Sequence, residues 1–122
     1  GPYILYTIVR MKSILSKYQE QWGEVNGFSM LPAKSGEEKD VMLALTRFAD
    51  VFQTAFEECA PHKICAYIYE LSNHFNRFYH ANKIMSEADK AQRESWVALL
   101  CLTLRALESS IDVLGFCAPE RM

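Results

Sequence analysis

The stretch PHKICAYIYELSNHFNRFYHAN, residues 61–82, constrains the fold more than any other part of the chain. Ile64, Ile68, Leu71, Phe75 and Phe78 recur at intervals of three and four, and no glycine or proline follows Pro61 within it. That spacing puts all five side chains on one face of an α-helix and scatters them on a strand. Pro61 suits a first helical turn, where its missing N–H costs nothing, and it pushes Ala60 out of helical geometry. The spacing therefore predicts a helix from Pro61 to about Asn82.

The same periodicity organises the rest. Ile4, Ile8, Met11, Leu15 and Tyr18 predict a buried stripe on a first helix ending near Trp22, with Pro2 in its first turn. Residues 23–36 carry Gly23, Asn26-Gly27, Pro32 and Ser35-Gly36 and read as a loop, too short to separate domains. Glu37 to Phe48 reads as a second helix with acids in its first turn and Met42, Leu45 and Phe48 facing inward. A third, angled helix is expected from Ala49 to Cys59, with Val51, Phe52, Ala55 and Phe56 as its apolar positions. Ser86-Glu87-Ala88-Asp89 resembles a capping-box start for a long last helix. That helix would bury Trp96, Leu100, Leu104, Leu107, Ile111 and Leu114, and Gly115 would end it in the left-handed conformation. Pro119 would stiffen a tail that stops on Met122. The fold class expected is all-α, a four- to five-helix bundle forming one domain over residues 1–122.

Composition bears on function by exclusion. The 122 residues are half apolar, as a packed domain requires, and the net charge of -2 gives no case for non-specific nucleic-acid binding, though a local basic face is compatible with it. Cys59, Cys65, Cys101 and Cys117 form no C-x-x-C and read as reduced, small apolar side chains of a cytoplasmic protein. No apolar run approaches the ~20 residues of a membrane span. The chain begins mid-pattern at Pro2-Tyr3, which suggests a piece of a longer protein. Glu70, His74 and His80 lack the Glu-x-x-His pairing of bundle metal sites, and neither a nucleophile elbow nor a Gly-rich phosphate loop is present. No catalytic residue, metal ligand or cofactor is assigned.

Two helix borders carry different chemistry. At about 100° per residue, Tyr3, Tyr6, Arg10, Ser13 and Lys17 fall together beside the first helix's apolar stripe. Tyr69, Ser72, Asn76 and Tyr79 lie beside the stripe of residues 61–82, with Arg77, His80 and Lys83 near its end. Tyrosines stack on unpaired bases, Arg and Lys meet phosphates, and Asn reads base edges. Ordinary amphipathic borders, with half-packed tyrosines and solvated charges, have the same spacing. So does a helical protein-interaction module that uses these tyrosines against a partner.

In this order, PYILYTIVRMKSIL, PHKICAYIYELSNHFNRFY and LGFCAPERM resemble the C-terminal helical domain of arginyl-tRNA synthetase. This is the anticodon-binding domain of class Ia aminoacyl-tRNA synthetases named for an Asp-Ala-Leu-Arg signature. YELSNHFNRFY and the terminal APERM carry most of the likeness, which spans nearly the whole chain. The resemblance implies an all-α bundle that holds the anticodon stem-loop of the arginine tRNA. It implies that Tyr3, Tyr6 and Arg10, in a Y-x-x-Y-x-x-x-R pattern, face the anticodon loop together with Tyr79 and Met122. Met122 would cover the face of a base, leaving specific reading to tail backbone groups, Arg10 and Asn76. HANKIMSEADK is more polar than the family's usual connection, and Lys83 there would substitute a phosphate contact for a stacking one. The implied partners are the arginine tRNA and a catalytic domain of the same chain, in a cytoplasmic monomer. ATP with magnesium would serve that catalytic domain, and this segment would hold no cofactor.

Overall fold

A computed structural model describes residues 2–117. Five α-helices follow in order: α1 (Pro2–Trp22), α2 (Gly36–Thr46), α3 (Phe48–Glu57), α4 (Pro61–Ala81) and α5 (Lys90–Cys117), with a 3-10 turn at Ile84–Ser86 before α5. No strand occurs among the described residues. The bundle is built around α4, which packs against each of the other four helices. Its expected stripe is its buried face: Ile64, Ile68, Leu71, Phe75 and Phe78 are all in the core, the last three with no exposed surface. Phe78 meets Trp96 of α5 edge-on at 6.0 Å, an aromatic geometry favoured by opposed ring edge and face charge.

On α1, Ile4, Ile8, Met11 and Tyr18 are buried as expected, but Leu15 is only half-buried while Thr7 and Ile14 are enclosed. The stripe is rotated toward α4. Thr7 tolerates enclosure because its hydroxyl donates to the Tyr3 carbonyl at 3.0 Å. On α5, Trp96, Leu100, Leu104 and Leu107 are buried, and Ile111 and Leu114 are partly so.

Several expectations fail at helix ends. Gly115 does not end α5, because the helix runs through it to Cys117. A helical glycine costs only about 1 kcal/mol, and Val113 and Leu114 are still packed on the core at that point. Pro119 and Met122 lie outside the described residues. Ser86 does not cap α5 either. It sits in the 3-10 turn that fully buried Ile84 anchors, and Asp89 takes the cap, accepting the Ala91 N–H at 3.3 Å. The break between α2 and α3 falls at Arg47 instead of after Phe48.

At α2 the inward face differs from expectation. Val41, Ala44 and Glu38 point into the bundle, while Met42, Leu45 and Phe48 are half-buried. These three line an open apolar groove of about 480 Å³ with Met30 and Leu102. Glu38 sits inside because it closes a capping arrangement missed in the sequence: Ser35 Oγ accepts the Glu38 N–H at 3.2 Å, and Glu38 Oε1 accepts the Lys34 N–H at 3.0 Å. The loop before α2 is fastened to α5 by the Leu31 N–H donating to Ser95 Oγ at 2.8 Å. Arg93 lies 4.1 Å from the Trp22 ring centre, beside that loop's start.

α3 ends in a Schellman motif with Cys59 at the left-handed position, φ 51°. The Ala60 N–H reaches the Ala55 carbonyl at 2.8 Å and the Cys59 N–H reaches the Phe56 carbonyl at 3.3 Å. Cys59 and Cys65 are exposed and Cys101 is half-buried, all as free thiols. Burial pushes the Cys101 thiol up against the opposing effect of Arg105.

Candidate nucleic-acid interface

The two borders singled out in the sequence meet. Three α1 residues and two α4 residues form one hydrogen-bonded chain. Arg10 Nη1 donates to Asn76 Oδ1 at 3.3 Å. Asn76 Nδ2 donates to the Tyr3 hydroxyl at 2.8 Å and to Thr7 Oγ1 at 3.0 Å. The Tyr3 hydroxyl donates onward to Asn73 Oδ1 at 2.7 Å. Each hydroxyl proton and both amide protons of Asn76 have a named acceptor, so the seam is a satisfied polar network on a rigid helix pair.

Its rings are arranged by the same contacts. Tyr3 packs on Tyr69 at a centroid distance of 5.4 Å. Tyr79 lies parallel to Phe75, 7° between planes and 6.3 Å between centres, so its ring rests on the core. The Arg10 guanidinium is 4.9 Å and the Lys83 ammonium 4.7 Å from the centre of that ring. Two cations at one aromatic face or edge hold the ring and bring positive charge to the surface beside it. Tyr6 is 70% exposed, the most exposed large apolar side chain described. Tyr6, Arg10, Lys17 and Tyr79 line an open hollow of about 450 Å³.

Of the residues assigned in advance, Tyr3, Tyr6, Arg10, Asn76, Tyr79 and Lys83 therefore lie along one seam, and Met122 lies outside the described residues. Asn76 differs from its expected part: both its donors are committed within the protein, which makes it a holder of Arg10 and Tyr3. Ser72 is fully buried and does not belong to the border where the spacing put it. Thr7 and Asn73 were missed. Thr7 follows Tyr3 by four and Asn73 precedes Asn76 by three, so helical neighbourhood is the signal that was available.

The other polar groups go elsewhere. Glu70 accepts from Arg47 Nη2 at 2.8 Å, and His74 stands 3.5 Å from the same carboxylate. No group of three metal-ligating side chains occurs among the described residues, and no described helix is long and apolar enough to cross a membrane.

The fold and the seam together define an all-α bundle with one polar and aromatic seam between α1 and α4. The chain belongs to the DALR anticodon binding domain family, whose model matches residues 4–122. It is similar to proteins named arginine–tRNA ligase: 53% identical to that of Agathobacter rectalis over 124 positions, 43% to that of Alkaliphilus oremlandii over 122, and 36% to that of Francisella tularensis over 126. Each match covers 100% of this chain but 21%, 21% and 22% of the relative, so the chain spans about a fifth of their length.

Proposed function

We propose that this chain is the C-terminal domain of an arginine–tRNA ligase and that the α1–α4 seam binds the anticodon loop of the arginine tRNA. One observation carries the reading. The only described ring flanked by two cations, Tyr79, is held on the core beside a hydrogen-bonded chain that fixes Arg10. A fixed ring offers a stacking face to any base at little entropic cost, and the neighbouring cations neutralise the phosphates that flank that base. Arg10 keeps donors beyond the one given to Asn76 and is the residue able to read a base edge. Tyr6 and Lys83 extend the surface, and Met122 is assigned to it through the family resemblance.

In this reading the segment contributes binding energy and tRNA identity in a cytoplasmic, monomeric enzyme. The joining of arginine to its tRNA, with ATP and magnesium, belongs to the remainder of the ligase. With a net charge of -2 the segment neutralises few phosphates, so its affinity alone is modest and is reinforced by the parent's grip elsewhere on the tRNA.

The test is equilibrium binding of a fluorescent anticodon stem-loop of the arginine tRNA across a salt series. Binding that weakens with salt, and weakens further on Tyr79→Ala and on deletion of Met122, supports the reading. A folded chain with no affinity at low salt, alone and joined to the catalytic region, favours the protein-interaction module instead.

A further inference from the structure

A second hollow opens on the other side of the hydrogen-bonded ridge. It holds about 400 Å³ and is lined by Tyr3, Glu37, Asn73, Asn76, Arg77 and His80. The two hollows meet at the Arg10–Asn76 contact, since Arg10 lines the first and Asn76 the second. Asn73, Asn76, Arg77 and His80 lie within about 100° of one another on the face of α4 opposite its core stripe. Among the described residues, Asn73 gives only its carbonyl oxygen, to Tyr3, and no acceptor takes its amide protons. Among the described residues Arg77 and His80 make no ion pair, although Glu37 stands across the hollow.

We infer that this hollow is a second nucleotide subsite, holding a nucleotide of the same single-stranded RNA segment adjacent to the one stacked at Tyr79, with its phosphate on Arg77 and His80. The inference rests on the seam being an RNA surface. The chemistry within the hollow is divided. Arg77 presents a planar set of donors matched to a phosphate. Glu37, which only accepts when ionised, repels a phosphate and suits the amino group of a base. Asn73 offers its two amide protons to a base edge. A nucleotide therefore enters with its phosphate along α4 and its base toward the start of α2. Tyr3 lines this hollow beside the Arg10–Asn76 contact, its hydroxyl already engaged and only its ring available.

The experiment compares four proteins in the anticodon stem-loop salt series: the unsubstituted chain, Arg77→Gln, Tyr79→Ala and Arg105→Gln. Arg105 carries the same charge but lines the apolar groove on another side of the bundle. Circular dichroism confirms the fold of each. Arg77→Gln is expected to reduce the magnitude of the log–log salt slope by about 0.7, the loss of one single-strand phosphate contact, and to weaken low-salt binding about tenfold. Arg105→Gln should leave both unchanged. If Tyr79→Ala weakens binding while Arg77→Gln behaves like Arg105→Gln, the second subsite is overturned and the seam assignment stands. If the unsubstituted chain binds no RNA, alone and joined to the catalytic region, both are overturned.

Discussion

Two open hollows of nearly equal size, about 450 and 480 Å³, sit on different parts of this bundle and differ in almost everything else. The α1–α4 seam is walled by tyrosines and cations and backed by a closed hydrogen-bond chain. The groove between α2 and α5 is walled mainly by Met30, Met42, Leu45, Phe48 and Leu102, with Thr46, Arg105 and Ser109 as its polar members. Volume alone does not distinguish them. The difference is that the seam ties cations and rings together through hydrogen bonds and cation–ring contacts, and the groove offers chiefly apolar surface.

The largest effect is expected where the seam rests on the core. Phe75 has no exposed surface and carries the Tyr79 ring, so Phe75→Ala should lower stability by about 3–5 kcal/mol in urea unfolding. Met42→Ala, at the half-buried rim of the groove, should cost much less. Equal losses would mean that the seam has no stiffer foundation than the groove.

Next comes the functional contrast. Tyr79→Ala should weaken binding of the anticodon stem-loop by about 1–3 kcal/mol, the worth of one stacked base, with the fold retained. Leu102→Ser, at the exposed edge of the groove, should leave RNA affinity unchanged. A groove variant that weakened binding as much would break the comparison outright.

The α2–α4 contact, apart from both hollows, also responds to pH. The Tyr67 hydroxyl donates to the Ala44 carbonyl at 2.7 Å, and burial pushes its pKa from 10.0 up to about 12, with Arg47 opposing the rise. The folded state thus holds this proton more tightly than the unfolded chain. The resulting stability is present in full below about pH 10 and is lost as pH rises toward 12. Thermal melts across that window should show the decline, and Tyr67→Phe should flatten it. Variants of the seam should leave the alkaline profile alone.

The smallest effect lies at the turn between α3 and α4. Cys59→Gly should raise stability by about 1 kcal/mol, because the left-handed conformation strains any residue with a Cβ. RNA affinity should not change, since neither hollow includes this residue.

How much of this was legible in the sequence differs from element to element. The α4 stripe could be read residue by residue, because one long run without breakers buries one continuous face. The inner face of α2 could not. Its short helix has apolar residues on more than one side, and a buried carboxylate that accepts the Lys34 N–H took an inward position that periodicity assigns to a hydrophobe. The Ser-x-x-Glu pattern at Ser35–Glu38 is itself a legible capping signal. The left-handed Cys59 carries no signal in residue type, since a glycine is the usual occupant. The α1 border of Tyr3, Tyr6 and Arg10 followed from helical spacing, but that spacing cannot say what a border faces.

The amino-acid sequence by itself determined that this chain is a helical bundle, which positions form its principal core, and which side chains stand beside that core on α1 and α4. Those are consequences of local periodicity, set within a few residues. Only the tertiary structure decided that the two borders adjoin, so that Tyr3 bonds to Asn73 and Asn76, and Arg10 to Asn76, across some 66 to 73 residues of chain. The same packing turned Asn76 from a free amide into the support of its neighbours. Hydrogen-bond partners so distant along the chain are chosen by how the helices pack, and that choice minimises the exposed apolar area of the whole bundle, a quantity no single segment contains.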